Sequence, residues 1–148
     1  AWAWTSLVFI FCAIAFLFWL YRASSNTHAF NPQTKMGFYP GLCVGCYFIP
    51  IFNLYWPYTS MKELWVLNVK KNTGILLIWW ITFLIFNFAP NQISTLLANH
   101  SIDLRAYILL KAASNIFGIV SAIIAIKIIT NINKAQIKNV IPIENDKK

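Results

Sequence analysis

Charge is scarce in this chain, and negative charge is almost absent. Only 11% of its 148 residues are charged, and four are acidic: Glu63, Asp103, Glu144 and Asp146. A soluble domain carries about 25% charged residues, so there is too little charge here to clothe a water-facing surface. None of the four acids falls inside a long apolar run. That leaves paired-carboxylate chemistry, and a proton path through a membrane, without residues. Histidine is rarer still. His28 and His100 stand far apart in polar stretches, and no second ligand pair accompanies Cys12, Cys43 and Cys46. A structural zinc site needs four such ligands. The five glycines never gather into a phosphate-binding loop, and no Ser, His and Asp stand at a spacing that supports a nucleophile set. These absences predict neither a cofactor nor an enzymatic activity.

What is abundant is apolar surface: 59% of the residues are hydrophobic and 17% aromatic. A spanning helix needs about 20 mostly apolar residues, and the runs 2–21, 38–58, 73–89 and 104–130 come near that length. They predict an all-α membrane protein: one multi-pass domain over residues 1–130, built as a bundle of about four hydrophobic helices. A polar, basic, mobile tail is predicted over 131–148. The first run ends at Arg22, which anchors the helix end at the headgroups. The second is interrupted by Pro40, Gly41, Gly45, Pro50, Asn53 and Pro57. Pro40 suits a helix start. Pro50 must kink or break a helix, because it removes a backbone hydrogen bond and clashes with the preceding turn. The second segment is therefore read as kinked or re-entrant at Pro50. Beyond it, Met61, Leu64, Trp65 and Leu67 line the apolar side of a short interfacial helix, with Lys62, Glu63, Lys70 and Lys71 toward headgroups or water. The third run stops at Pro90, and a short surface helix is predicted near residues 93–98.

The net charge of +8 does not form one patch. The basic residues lie between apolar runs and in the tail, as cytoplasmic flanks of membrane helices do, which argues against a nucleic-acid partner. With four spans, Lys62, Lys70, Lys71, Lys127, Lys134, Lys138, Lys147 and Lys148 share one side, facing Arg22, Lys35 and Arg105. The positive-inside rule then places both termini in the cytoplasm. If the second segment dips in and returns, Arg22 and Lys35 join the cytoplasmic side and leave Arg105 alone outside. Spanning helices are commoner than re-entrant ones, so four spans is the leading expectation. Both arrangements put the tail inside and the linker around Asp103 outside. Because the chain begins without Met inside an apolar run, a further segment is expected upstream.

Several residues stand out as candidates. Gly41-x-x-x-Gly45 has the close-packing spacing of membrane helices, and Ser114, Gly118 and Ala122 recur every four residues as a matching small-residue stripe. Asn53, three residues past Pro50, caps broken backbone or lines a ligand cavity. Lys111 sits inside the fourth run and snorkels to the interface or points inward. Cys43-x-x-Cys46 has redox spacing, but its partnerless thiols read as small hydrophobes.

One longer pattern combines Tyr21-Arg22-Ala23-Ser24-Ser25-Asn26, Pro40-Gly41, Gly45 and Phe48-Ile49-Pro50-Ile51-Phe52-Asn53-Leu54. It continues with Pro57-Tyr58, Met61 and Glu63-Leu64-Trp65. Over about residues 15–130 this resembles the bacterial membrane family known as domain of unknown function 4328. The resemblance implies a multi-pass protein of the bacterial cytoplasmic (inner) membrane, and no reaction. In that family small or aromatic residues are expected where Cys43 and Cys46 stand, which weakens a role for the pair. The expected function is a non-catalytic accessory or scaffold subunit. Its partners are membrane lipids and either another membrane protein or a second copy of itself. The alternative is a small-molecule or lipid binder or transporter with its site at the Pro50–Asn53 break.

Overall fold

The computed structural model describes residues 2–49, 52–70 and 72–145. Among them every regular element is a helix: α1 (Trp2–Phe30), α2 (Pro40–Gly45), a 3-10 turn (Phe52–Leu54), α3 (Trp56–Asn68), α4 (Gly74–Ala98) and α5 (Leu104–Asn145). Three stretches are long and apolar enough to cross a membrane: Ser6–Phe30, Gly74–Ala98 and Leu104–Val140. The chain forms two compact units, one of Ala1–Lys71 with Asn131–Lys148, the other of Asn72–Thr130.

The helices outrun the apolar stretches that announced them. α1 continues past Arg22 to Phe30, α4 runs through Pro90 to Ala98, and α5 continues past Thr130 to Asn145. The expected ends at 21, 89 and 130 mark where apolar composition stops, not where the backbone ladder stops. Residues 93–98 belong to α4 rather than to a separate surface helix, and the tail through Asn145 is helical. The real termini carry local signals. Asp103 Oδ1 accepts the Ala106 N–H at 2.8 Å, a side-chain cap for the start of α5. α4 closes with His100 N–H to Leu97 O and Ser101 N–H to Leu96 O, around His100 at φ 54°. That is the paired closure of a Schellman motif, with histidine where glycine is usual.

The second apolar segment is not a spanning helix. α2 has six residues, about 9 Å of helix against a hydrocarbon core of about 30 Å. Pro50, the expected breaking point, lies outside the described residues, but Pro40 and Pro57 each open a separate helix, at its first or second position. The segment lies back along α1. Ser24 Oγ is 3.5 Å from Cys43 Sγ, and the Tyr47 ring meets Phe16 edge-on at 5.8 Å between centroids. It thus descends α1 from the level of Ser24 to that of Phe16. α3 then brings Asn68 to Thr27 and Glu63 to Gly37 and Phe38. Between descent and return lies an apolar tip with Phe48, Ile49, Phe52, Leu54 and Tyr55 exposed. Short-range bonds such as Cys46 N–H to Leu42 O, Phe48 N–H to Gly45 O and Asn53 N–H to Ile49 O satisfy backbone that hydrocarbon cannot serve.

This geometry corrects the leading four-span arrangement. Trp19 and Asn26 at the end of α1 hydrogen-bond Asn133 and Gln136 of α5, so the 22–37 connection lies beside the tail. Four spans require it at the opposite end of the bundle. Among the described residues the second segment returns along α1 rather than forming a fourth long apolar helix.

Candidate functional site

The polar end of α1 gives the first unit a buried hydrogen-bonded node. Thr27 is fully buried, and its Oγ1 donates to Ala23 O at 2.8 Å. The same oxygen accepts Asn68 Nδ2 at 2.8 Å and Gln136 Nε2 at 3.1 Å. A hydroxyl has one proton to give and two acceptor positions, so Thr27 is saturated. Asn68 spends its second amide proton on Leu64 O at 2.8 Å, and Gln136 spends its own on Ala23 O at 2.8 Å. Gln136 Oε1 accepts Asn26 Nδ2 at 3.3 Å. Asn68 Oδ1 is buried without a partner among the described residues. One side chain from α1 thereby ties together the end of α3 and the last turns of α5.

Beside the node lies an open cleft of about 320 Å³ between α1 and the end of α5, lined in part by Trp19, Arg22, Asn26, Asn133, Gln136 and Ile137. Trp19 Nε1–H donates to Asn133 Oδ1 at 2.9 Å. Arg22 is exposed, and no carboxylate pairs with it among the described residues. Glu63 instead receives the N–H groups of Gly37 at 2.6 Å and Phe38 at 3.1 Å, fixing the connection between α1 and α2. Asp103 is the cap of α5.

The remaining candidates fall elsewhere. An added Cβ on Gly45 would meet nothing within 4 Å, and one on Gly41 would meet only the ring of nearby Tyr39, at 3.2 Å. Among the described residues no helix packs closely on this pair. Gly118 does pack closely: a Cβ there would stand 2.5 Å from Phe86 Cδ2, within the second unit. Ser114 is buried but Ala122 is exposed, and Ser121 is the buried neighbour. A strict four-residue step drifts around a helix of 3.6 residues per turn, so alternating steps of four and three hold one face. The covered seam of α5 follows that rule through Ser114, Gly118, Ser121, Ala125, Ile128 and Ile132, and one further step of four reaches buried Gln136. Asn53 is half-buried in the 3-10 turn. Its backbone N–H bonds Ile49 O at 2.8 Å, while its carboxamide has no partner among the described residues. Lys111 is half-buried in the second unit, whereas Arg22 and Glu63 both lie in the first, without contact between them. Burial pushes both thiols up, Cys46 to about 11. Such thiols stay protonated and are poor nucleophiles and ligands. Among the described residues no three His, Cys, Asp or Glu side chains gather into a metal-binding group.

The family described as Domain of unknown function (DUF4328) matches residues 1–134. The chain belongs to that family. No curated protein and no solved structure matches it. Within this DUF4328 chain, Trp19, Arg22, Asn26, Thr27, Asn68 and Asn133 fall in the matched residues, and Gln136 lies just beyond them. Sequence reading singled out Arg22 but missed Thr27, Asn68, Asn133 and Gln136. The one signal for Gln136 was its place one helical turn past Ile132 on the covered face of α5, beyond the end of the apolar run.

Proposed function

We propose that this DUF4328 chain is a non-catalytic accessory or scaffold subunit that docks one face of α5 against a helix of another membrane protein. Asn115 carries the reading. It lies about 17 Å along α5 from Leu104, within the apolar stretch Leu104–Val140. It is exposed, and its carboxamide has no hydrogen-bond partner among the described residues. A bare amide facing hydrocarbon is costly, and membrane helices meet that cost by hydrogen bonding across an interface. Asn115 shares its face with Ala112, Ile119, Ala122 and Ile126, all exposed. The steps of three and four between them make a second seam, with small residues that admit a neighbouring backbone.

The setting proposed is the bacterial cytoplasmic membrane. With Arg22 and Lys35 on the side of the tail, Arg105 is the basic residue left across the membrane, so the positive-inside rule turns the tail to the cytoplasm.

Cysteine cross-linking tests the interface. In a background free of native cysteines, Ala122→Cys should trap a partner helix in membranes, and Ile123→Cys should not. Asn115→Leu should lower the yield of the Ala122→Cys adduct severalfold. Equal trapping at both positions, or no effect of Asn115→Leu, would sink the proposal. The mass of the adduct tells a second copy from a different protein.

A further inference from the structure

We infer that the cleft between α1 and the end of α5 is a binding site for the phosphate of an anionic phospholipid, clamped by Arg22 and Asn133. The inference goes beyond the subunit reading and stands whether or not α5 has a protein partner.

An account of polar atoms identifies the ligand class. Around the cleft, Trp19 Nε1 gives its proton to Asn133 Oδ1, and Gln136 Nε2 gives both of its protons to Ala23 O and Thr27 Oγ1. Asn26 has spent one amide proton on Gln136 Oε1. The donors left whole are the Arg22 guanidinium and the Asn133 amide nitrogen, whose orientation is fixed because its oxygen faces the Trp19 N–H. A forked cation beside a neutral N–H₂ group suits a phosphate, whose oxygens accept several hydrogen bonds while its charge is met once. Asn26 Oδ1, an unspent acceptor, suits a hydroxyl on the headgroup.

Position argues for a lipid rather than a soluble anion. At least twenty largely apolar residues of α1 precede Arg22, enough at about 1.5 Å each to cross a hydrocarbon core of about 30 Å, and the polar residues Ser24, Ser25 and Asn26 follow it. A phosphate on Arg22 would lie at headgroup depth. Phe11, Ile14 and Phe18 of α1 are exposed on the stretch leading down from it and offer a path for acyl chains. Basic pockets at the cytoplasmic ends of membrane helices hold anionic lipids in the same way.

Native mass spectrometry of the protein released from nanodiscs of mixed phosphatidylglycerol and phosphatidylcholine tests the inference. The unmodified chain should retain phosphatidylglycerol in preference to phosphatidylcholine. Arg22→Gln should reduce that retention about fivefold, the usual effect of one cation near a lipid surface. Asn133→Asp keeps the acceptor for Trp19 but sets a carboxylate against the phosphate, and should reduce it at least as much. This second variant carries the test if Arg22→Gln loses its helical circular dichroism. Lys134→Gln removes an equal charge from a residue that lines a different cleft and should leave retention nearly unchanged. Equal loss in Lys134→Gln and Arg22→Gln would show diffuse attraction and overturn the site. Equal retention of the two lipids would overturn it as well. Displacement of the lipid by inorganic phosphate at matched ionic strength would assign the cleft to a soluble anion and overturn the lipid as ligand.

Discussion

Gly118→Ala puts the packing of the second unit to a quantitative test. The new methyl would stand 2.5, 2.7 and 2.9 Å from Phe86 Cδ2, Cε2 and Cγ, whereas carbon atoms rest at about 3.5–4.0 Å. The ring must retreat by about 1 Å. Because Cγ is among the atoms met, the whole side chain has to shift rather than its far edge. Overpacking of this kind costs about 1–3 kcal/mol. Alanine recovers up to about 1 kcal/mol of helix propensity, so the net loss is expected at about 0–2 kcal/mol and is ambiguous alone. A double-mutant cycle removes the ambiguity. In a Phe86→Ala background the clash disappears and Gly118→Ala should stabilise. Unfolding in detergent, followed by circular dichroism, should then give a coupling of about 1–3 kcal/mol. Coupling below about 0.5 kcal/mol would mean the two sites act independently, and the contact on which the argument rests would be refuted. Gly45→Ala is the natural contrast: it meets open space and should be neutral or slightly stabilising.

Three further outcomes are expected. Thr27→Val keeps the shape of the side chain but strips the acceptor from Asn68 and Gln136. It should cost about 1–3 kcal/mol for each buried amide left unpaired, or nearer 0.6 if polar pairs between membrane helices set the scale, and an unchanged melting temperature in detergent would disprove the node. Glu63→Gln replaces a carboxylate oxygen with an N–H₂ group facing backbone donors, so hydrogen exchange at Gly37 and Phe38 should speed up while exchange within α4 stays as it was; unaltered rates at those two amides would remove Glu63 as their anchor. For topology, a single cysteine at Gln33 should be protected from an impermeant thiol reagent in intact cells and one at Asn99 should react, whereas labelling at Gln33 from outside would restore the four-span arrangement.

The features legible in sequence were those that composition alone encodes. Runs of apolar residues announced α1, α4 and α5, and the pattern through residues 40–65 announced the family. Helix ends were less legible, because Arg22 and the polar residues after Thr130 report where lipid ends while the hydrogen-bond ladder carries on into water. Pro90 misled for a related reason. Proline disfavours a helix interior, yet α4 continues through it to Ala98. The node was illegible because its members are local strangers. Asn68 and Gln136 lie 41 and 109 residues from Thr27, and each taken alone is an ordinary polar residue near a helix end. No periodicity in residues 38–58 tells a broken span from a shallow return. The return of α3, whose Asn68 reaches Thr27, is what separates the two.

The saturation of Thr27 bears on how the protein is made. Thr27 precedes Asn68 by 41 residues and Gln136 by 109, so its hydroxyl emerges from the ribosome well before either donor. Until Asn68 and then Gln136 arrive, the acceptor positions on Thr27 have only water to serve them, which is available at headgroup depth and absent deeper in the bilayer. Arrival of the last turns of α5 exchanges that water for the side-chain amide of Gln136.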